Sequence, residues 1–426
     1  MTRHDLRWLR EENATSLNHN RRLRRLECAS VVGFTLCHLS AAGQVAKQPQ
    51  PLLDPQIQAL ADGRVRPEKL HPDVTSAYLP VAYPSSHAAN LLLLRNGDLL
   101  CVWFSGVWEG ESDVAIVFSR LKRGETRWSA PRVIDHHSGE SYQNPVLFQS
   151  QDGTLHLYNT TQPANAGEAG ARVLTSNSFD GGKTWSAPRP LFDKPGAFTR
   201  HPVVVLEDGT WLLPITYVTS RDIGAGSETN FSAMELSRDR GGSWKECKVP
   251  QSEGKVQPTV VEIAPHHLLA LFRSRAADFI FRSESTDGCA WTPPVPTVLP
   301  NNNASVQMTK LRNGDLALVF DNSSRSAGGT TSDAARKPLS IALSTDNGAT
   351  WKQVRDLETG RPGYGVAEAQ VKTPGREEYS YPTVKQTADG RIHVAFTFRR
   401  VTIKEMSFPE SWVGEGSTEG KYKPPR

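Results

Sequence analysis

The chain has 426 residues, of which 33 are Gly, 29 are Pro, 10 are Trp and 22% are charged. This globular, turn-rich composition excludes a disordered or a predominantly helical protein. The formal net charge of +4 lies in residues 1–50, and the remaining residues balance to zero. Because the chain after residue 50 has no excess of basic residues, the sequence indicates no nucleic-acid partner.

The N-terminal segment, residues 1–46, predicts a leader. A basic run at 21–25 precedes an apolar run at 28–39 and small residues at 40–43, which is the order of a signal peptide. We therefore expect a secreted or periplasmic protein. The alternatives are a disordered tail or a misplaced start codon in a cytoplasmic protein, because twenty polar residues precede the basic run. No stretch reaches the ~18 apolar residues of a membrane span.

Six repeated units follow a Pro-rich linker at 47–76. Each unit holds an apolar run, a turn, and two further apolar runs, and the first three turns lie 56 residues apart. Asn-Gly and Asp-Gly between apolar runs are strong hairpin signals. They occur at Asn96-Gly97, Asp152-Gly153, Asp208-Gly209, Asn313-Gly314 and Asp389-Gly390, and unit four has the variant Pro265-His266-His267.

A second motif, S-x-D-x-G-x-[ST]-W, ends at Trp185, Trp244 and Trp351, with a shortened copy that ends at Trp291. Asp, Gly and Ser/Thr are turn residues, and the Trp can pin the turn to the sheet. Repeats of four strands with radial closure describe a six-bladed β-propeller, an all-β fold. A strand at 77–83 would complete the sixth blade. The propeller is predicted over 77–412, with an insertion within 357–378 and a C-terminal tail at 413–426.

The octet resembles the Asp box of the sialidase superfamily, and the six units resemble predicted neuraminidases with BNR repeats. The resemblance implies a sialidase-type propeller that acts on glycans and needs no cofactor. Function must still be argued from the site, since a fold hosts many activities. We treat the protein as a monomer with a carbohydrate substrate.

Polar residues at the starts of the innermost strands are expected to converge on one funnel. They are Ser86-His87, Gln143-Asn144, Arg200-His201, Lys255 to Gln257, Asn302-Asn303 and Tyr379-Ser380. Among them, Asn144, Gln257, Asn302 and the adjacent Tyr381 are candidate substrate-binding residues.

Three functional parts follow from the resemblance. Tyr379 looks like the nucleophile that sialidases use in place of a second carboxylate, with Glu262, Glu377 or Glu378 as its base. Glu109, Glu111 or Asp113 supplies the acid, although Asp113 could equally orient its loop. Arginines bind the substrate carboxylate bidentately, and the candidates are Arg273, Arg275, Arg200 and Arg325.

The sequence departs from sialidases at His87, which stands where the first-blade Arg is expected. This departure opens the alternative of a uronate-specific lyase. In such an enzyme His87 and Tyr379 would act as base and acid, and Arg273 or Asn144 would neutralise the substrate carboxylate. A third alternative is a binding propeller without catalysis. No metal site is expected. The body cysteines, Cys101, Cys247 and Cys289, lack metal-ligand spacing, and we expect buried single thiols.

Overall fold

The computed structural model describes residues 55–219, 229–325, 336–360 and 377–417. In this part of the chain the strands form six antiparallel sheets, and each sheet is one blade. The predicted six-bladed propeller is therefore confirmed. The leader and most of the expected insertion lie outside the described residues.

Blades 1 to 3 follow each other along the chain. Blade 1 contains β3 (Ser85–Leu93), β4 (Leu99–Gly106), β5 (Ala115–Leu121) and β6 (Arg132–Asp135). Blade 2 contains β7 (Glu140–Gln149), β8 (Leu155–Pro163), β9 (Arg172–Ser178) and β10 (Arg189–Pro190), with a 3₁₀ helix at Glu168–Gly170. Blade 3 contains β11 (Ala197–Thr199), β12 (Val204–Val205), β13 (Trp211–Tyr217), β14 (Phe231–Ser237) and β15 (Lys245–Lys248).

Blades 4 to 6 complete the ring. Blade 4 contains β16 (Lys255–Ala264), β17 (His267–Ser274), β18 (Phe279–Ser285) and β19 (Val295–Pro300). Blade 5 contains β20 (Gln307–Lys310), β21 (Leu316–Asp321), β22 (Leu339–Ser344) and β23 (Gln353–Glu358). Blade 6 contains β24 (Tyr379–Gln386), β25 (Ile392–Phe398) and β26 (Thr402–Phe408).

The N-terminal part of the domain closes blade 6. Strand β2 (Thr75–Tyr78) pairs with β26, and β1 (Arg66–Pro67) pairs with β2. The predicted closing strand is thus confirmed, although it starts and ends earlier than expected. Two helices flank the sheet, α1 (Pro55–Leu60) and α2 (Glu410–Glu415). The linker and the tail therefore both contribute ordered elements to the domain.

The core lies between blades, because successive side chains of a strand face opposite sides of its sheet. In β4, Leu100, Val102 and Phe104 pack towards blade 2. The alternate residues Leu99, Cys101 and Trp103 pack towards blade 6. One such apolar cluster fills each of the six blade interfaces. Each blade is therefore stabilised by both of its neighbours.

The Asp boxes form the outer turns between the third and fourth strands. In the first box the Asp180 carboxylate accepts bonds from Ser178 Oγ at 2.9 Å, the Thr184 N–H at 2.9 Å and Thr184 Oγ1 at 2.6 Å. Asp239 and Asp346 repeat these contacts. The predicted position of the boxes, one per blade on equivalent turns, is confirmed.

Each box also packs against the preceding blade. The Trp185 ring packs in the cluster between blades 1 and 2, and Trp351 packs in the cluster between blades 4 and 5. Gly348 has φ 80°, and a Cβ there would meet Leu269 Cδ2 of blade 4 at 2.6 Å. Only Gly fits this position, because it combines a left-handed backbone with a close approach.

The expectation of single thiols is wrong for two of the three body cysteines. Cys247 of β15 and Cys289 in the blade 4 Asp box form a disulfide, with Cα atoms 4.9 Å apart. Cys101 is a buried free thiol, as predicted. The disulfide links blade 3 to blade 4, and no spacing rule within one unit could have indicated it.

Candidate functional site

The innermost strands of four blades share a β-bulge near their first residues. The register with the second strand shifts after His87, Gln143, Val256 and Ser380. In each case the next residue has a left-handed backbone: Ala88 (φ 58°), Asn144 (φ 47°), Gln257 (φ 51°) and Tyr381 (φ 53°). Positive φ is uncommon in a residue other than Gly and is a marked exception for a bulky one such as Tyr. Bulges of this kind re-aim a side chain, often beside an active site.

Tyr381 is the centre of the resulting cluster. Its phenol oxygen accepts a hydrogen bond from Arg273 Nη1 at 2.6 Å. The guanidinium carbons of Arg200, Arg336 and Arg273 lie 5.1, 5.5 and 5.7 Å from its ring centroid. The His87 ring lies 4.2 Å from it, centroid to centroid. Tyr381 is 7% exposed, so this contact set is shielded from bulk water.

The Arg273 side chain is fixed by blades 4 and 5. Its Nε donates to Asn303 Oδ1 at 2.9 Å, and its Nη1 donates to Gln257 Oε1 at 3.0 Å. Because Arg273 is only 4% exposed, these amide oxygens replace the water that a guanidinium otherwise binds. The planar fork is therefore held in one orientation towards Tyr381.

The cationic surroundings change the acidity of Tyr381. Burial by itself would raise its pKa, but the charges of Arg273 and Arg336 outweigh burial, and the pKa lies below its usual value. Nearby positive charges favour the charged phenolate. A phenol with this property can act as a nucleophile or exchange a proton.

A chain of ion pairs borders the tyrosine. Arg400 Nη1 donates to Glu109 at 2.8 Å, and its Nε donates to Glu378 at 3.1 Å. Arg336 Nη1 donates to the same Glu378 carboxylate at 2.7 Å. Burial disfavours the charge of Arg400, yet the two carboxylates raise its pKa above the usual value. This chain joins the acid candidate Glu109 to the arginines around Tyr381.

Arg400 occupies a strained turn. Arg399 (φ 54°) and Arg400 (φ 58°) both have left-handed backbones in the β25–β26 connection, where Asn-Gly is the preferred pair. Such conformations cost about 1–3 kcal/mol each and persist where the surroundings require them. The turn places Arg400 against Glu109 and Glu378, so we connect the strain with the site.

Tyr379 lies elsewhere than expected. Its phenol donates to Glu377 at 3.0 Å, and its ring packs with Phe398 in the core between blades 5 and 6. Burial and then the Glu377 charge raise the pKa of Tyr379. Arg273, which the lyase alternative groups with Tyr379, instead contacts Tyr381. The bulge explains this, since it turns Tyr381, two residues further along, towards the axis.

The four arginine candidates separate in the structure. Arg273 reaches Tyr381, and Arg275 pairs with Glu168 at 3.3 Å. Arg200 is 1% exposed and bonds to backbone carbonyls, so it offers no free face to a substrate. Arg325 is exposed, and its backbone N–H bonds to Ala277.

The acid candidates also differ. Glu109 is partly exposed beside Arg400, which is a position open to a bound molecule. Asp113 accepts a bond from the Val107 N–H at 2.8 Å, and so it orients the loop between β4 and β5. Glu111 is half-buried in that loop. The base candidate Glu262 accepts a bond from the Glu207 N–H at 2.9 Å, and it lies near the end of β16, away from the bulge of that strand.

His87 and the asparagines lie deep in the site. His87 is fully buried, and its Nδ1 is 2.8 Å from Thr397 Oγ1. Burial and then Arg400 hold its pKa well below the usual value, so the imidazole is neutral. Asn144 is buried at its bulge, and Asn302 Nδ2 donates to Ser323 Oγ at 3.2 Å.

The described residues show neither a metal site nor a membrane-spanning helix. No group of three or more His, Cys, Asp or Glu side chains there could hold a metal ion. Among the helices of these residues, none has the length and apolar character needed to cross a membrane.

Comparison with known proteins agrees with this architecture. The family model described as BNR repeat-like domain matches residues 97–394. The chain belongs to the BNR repeat-like domain family. No curated protein matches this BNR repeat-like chain.

Solved structures share the propeller at low sequence identity. The Hadza microbial sialidase Hz136 superposes with a TM-score of 0.61 and 16% identity, over 77% of this chain and 66% of that one. The intramolecular trans-sialidase of Ruminococcus gnavus, in complex with oseltamivir carboxylate, gives 0.61 and 14%, over 79% and 97%. A Dyadobacter fermentans protein of unknown function gives 0.60 and 18%, over 79% and 99%. The BNR repeat-like protein therefore has the sialidase-type fold.

The sequence did not indicate two arginines of the candidate site, Arg336 and Arg400. Both lie in connections between the second and third strands of a blade, where the sequence has no motif. It also ranked Tyr379 above Tyr381. A usable signal was present, because Asn144, Gln257 and Tyr381 each precede a Pro at the same position of the strand.

Proposed function

We propose that this protein is a carbohydrate-active enzyme that releases a terminal acidic sugar from a glycan, with Tyr381 as the reacting phenol. The observation that carries the proposal is the 2.6 Å bond between Arg273 Nη1 and Tyr381 Oη in a site ringed by arginines. A phenol suits an acidic sugar because it meets the sugar carboxylate without the full charge of a second carboxylate. The arginines supply the complementary positive charge.

The proposed reaction proceeds in two displacements. The phenol proton of Tyr381 passes to the Glu109 carboxylate, Tyr381 Oη attacks the anomeric carbon, and the glycosidic bond breaks as the leaving oxygen takes that proton from Glu109. Water then attacks the same carbon, the bond to Tyr381 breaks, and one proton of the water returns through Glu109 to the Tyr381 oxygen. Glu109 is the preferred acid because it is partly exposed and held by Arg400 at 2.8 Å.

A lyase that acts on a uronic acid is the second candidate, and His87 is the observation that favours it. A neutral imidazole packs on Tyr381 at 4.2 Å, and His87 Nε2 has no hydrogen-bond partner in the described structure. A neutral His beside a phenol can act as the base while the phenol acts as the acid. In this reaction His87 Nε2 takes the proton as the sugar C5–H bond breaks, the electron pair forms the C4–C5 double bond, and the C4–O bond breaks as its oxygen takes a proton from Tyr381.

A glycan panel separates these functions. The protein is incubated with sialylated and uronate-containing glycans while reducing sugar and the absorbance of an unsaturated product are followed together. Hydrolysis yields reducing sugar alone, a lyase yields both signals, and a propeller that only binds yields neither. The expected result is reducing sugar alone from an acidic glycan.

The reacting tyrosine is tested by two matched variants. Tyr381→Phe and Tyr379→Phe each remove one oxygen from neighbouring positions. We expect Tyr381→Phe to lose at least ~10³-fold in turnover, since the reacting group is absent. Tyr379→Phe should stay within about tenfold. A fluorinated substrate should leave a glycosyl adduct on the Tyr381 peptide. The opposite ranking of the two variants would return the nucleophile to Tyr379.

We propose an oxidising compartment for this protein. The Cys247–Cys289 disulfide supports export, because disulfides persist outside the reducing cytosol. Free-thiol labelling of denatured protein taken from its natural location, followed by peptide mapping, tests this: label on Cys101 and none on Cys247 or Cys289 is expected. Label on both Cys247 and Cys289 would contradict export.

A further inference from the structure

Arg200 is a buried cation that the reaction above does not use. It is 1% exposed, and it lies at the start of the innermost part of blade 3. Its contacts are made across the propeller axis rather than within its own blade. Nε donates to Ser305 Oγ at 3.1 Å, Nη1 to Ala89 O at 3.2 Å and Nη2 to Pro382 O at 2.9 Å. One side chain thereby joins blades 1, 5 and 6.

Two of these acceptors flank residues of the site. Pro382 directly follows Tyr381, and Ala89 directly follows Ala88, the equivalent bulge residue of blade 1. The Arg200 guanidinium carbon lies 5.1 Å from the Tyr381 ring centroid. A guanidinium that holds the carbonyl after a strained residue restricts the backbone on which that side chain depends.

The charge of Arg200 is not matched by a carboxylate among its described hydrogen-bond partners, which are a hydroxyl and two carbonyls. Burial lowers the pKa of Arg200 to about 10, so it stays charged at neutral pH. Replacing this residue with an apolar one would be the simpler way to fill an axis, since buried ions carry a desolvation cost. The retained charge therefore indicates a role towards a neighbour that becomes negative.

We propose that Arg200 is a positioning residue for Tyr381: it fixes the bulge of blade 6 from behind and stabilises the negative phenolate. The effect of Arg200 on turnover rests on the proposed function. Its effect on the backbone and the ionisation of Tyr381 does not. Other charged or titratable groups also face Tyr381, so Arg200 is one contributor among several. They are Arg273, Arg336, Arg275, Glu109 and His87.

The first test measures ionisation directly. The full-length protein is labelled at the phenolic carbon of tyrosine, and the Tyr381 signal is assigned by its loss in Tyr381→Phe. NMR titration of Arg200→Met should show the Tyr381 midpoint raised by about one to two pH units, the size expected for loss of a cation at this distance in a protein interior. An unchanged midpoint overturns the charge part of the proposal.

A matched control variant removes an equivalent set of hydrogen bonds at a distance from Tyr381. Arg391, at the outer edge of blade 6, also donates to a serine hydroxyl and to two backbone carbonyls. The acceptors are Ser407 Oγ, Ser407 O and Asp73 O. Arg391→Met should leave the Tyr381 midpoint at the wild-type value. If both variants shift it equally, the effect is general loosening of the fold and the proposal fails.

Arg200→Lys covers the case in which Arg200→Met does not fold. Lys keeps the charge but cannot span three acceptors. We expect the Tyr381 midpoint to stay within about half a pH unit, with kcat lowered about tenfold and KM unchanged, since only positioning is lost. Wild-type kcat in this variant overturns positioning. If no glycan is turned over by wild-type protein, the proposed function fails, while the NMR titration still decides the inference.

Discussion

The outer turns and the inner bulges of this propeller are both repeated, but they repeat different things. The Asp boxes conserve side chains from blade to blade: each Asp accepts bonds from the same Ser and Ser/Thr positions. The inner bulges repeat only a backbone shape, and Ala88, Asn144, Gln257 and Tyr381 occupy it in turn. A repeated side chain thus marks a structural element here, while a repeated backbone with a varied side chain marks the site.

The largest expected effect is a loss of turnover when a residue beside the inner bulges is changed. Arg273→Lys replaces a fork with a point charge, so the bonds to Asn303, Gln257 and Tyr381 cannot all be kept. We expect turnover to fall roughly 10²–10³-fold, the usual cost of one preorganised donor. Arg282→Lys in the outer part of the same blade is the control and should stay near wild-type activity. Equal losses in steady-state assays would erase the distinction between the two regions.

The next effect belongs to the outer set and concerns stability. Trp351 is buried between blades 4 and 5. Trp351→Ala should lower the free energy of unfolding by roughly 3–5 kcal/mol, by loss of apolar contact and creation of a cavity. Trp185→Ala should cost less, because that ring is half-buried. Urea unfolding measures both, and a larger loss at Trp185 would contradict the packing described for the two boxes.

The disulfide sharpens the same comparison, since it staples one outer turn to the neighbouring blade. The bridge joins residues 42 apart in sequence. Chain-entropy arguments give about 4 kcal/mol for a loop of this length, with native strain able to reduce it. The double variant Cys247→Ser/Cys289→Ser should melt at lower temperature but keep its turnover per folded molecule. Identical melting of this variant and oxidised wild-type protein would show that the staple adds no stability.

The smallest effect is a pH dependence of the boxes. Hydrogen bonds from Thr350 lower the pKa of Asp346 from 3.8 to about 2. A lowered folded-state pKa contributes stability above pH 3.8 that is lost as the pH falls through about 2. Asp346→Asn should therefore flatten the acid limb of the stability curve slightly. Asp193→Asn, which removes an exposed carboxylate outside the boxes, is the control. A steeper limb in Asp346→Asn would reverse the sign of this linkage.

The sequence predicts the fold well because its signals are local. Asp-Gly and Asn-Gly turns and the Asp boxes act within a few residues, and so they survive without knowledge of neighbouring blades. The disulfide between Cys247 and Cys289 shows the limit, because it depends on two blades being adjacent. The expected single thiols were wrong for that reason.

The site is harder to predict because it depends on register. A bulge adds one residue to a strand and changes which side chains face the axis. This is why Tyr379 and Tyr381, two residues apart, have opposite surroundings. Arg336 and Arg400 reach the site from connections whose paths no pattern specifies. The X-Pro pairs at Asn144, Gln257 and Tyr381 are the exception, since Pro gives up a ladder N–H without loss at a bulge.

The closure of blade 6 constrains how the protein is made. Thr75 pairs with Ser407, so the last sheet to form needs strands from both ends of the domain. A ribosome delivers residues in order, and long-range pairing is slow because chain ends must first meet. Blades 1 to 5 can assemble on the emerging chain, whereas the ring stays open until synthesis has passed β26. During that interval the edge of β2 that will pair with β26 is unpaired, and unpaired edges are where chains associate with one another. Aggregation during production should therefore respond to conditions that speed this final pairing.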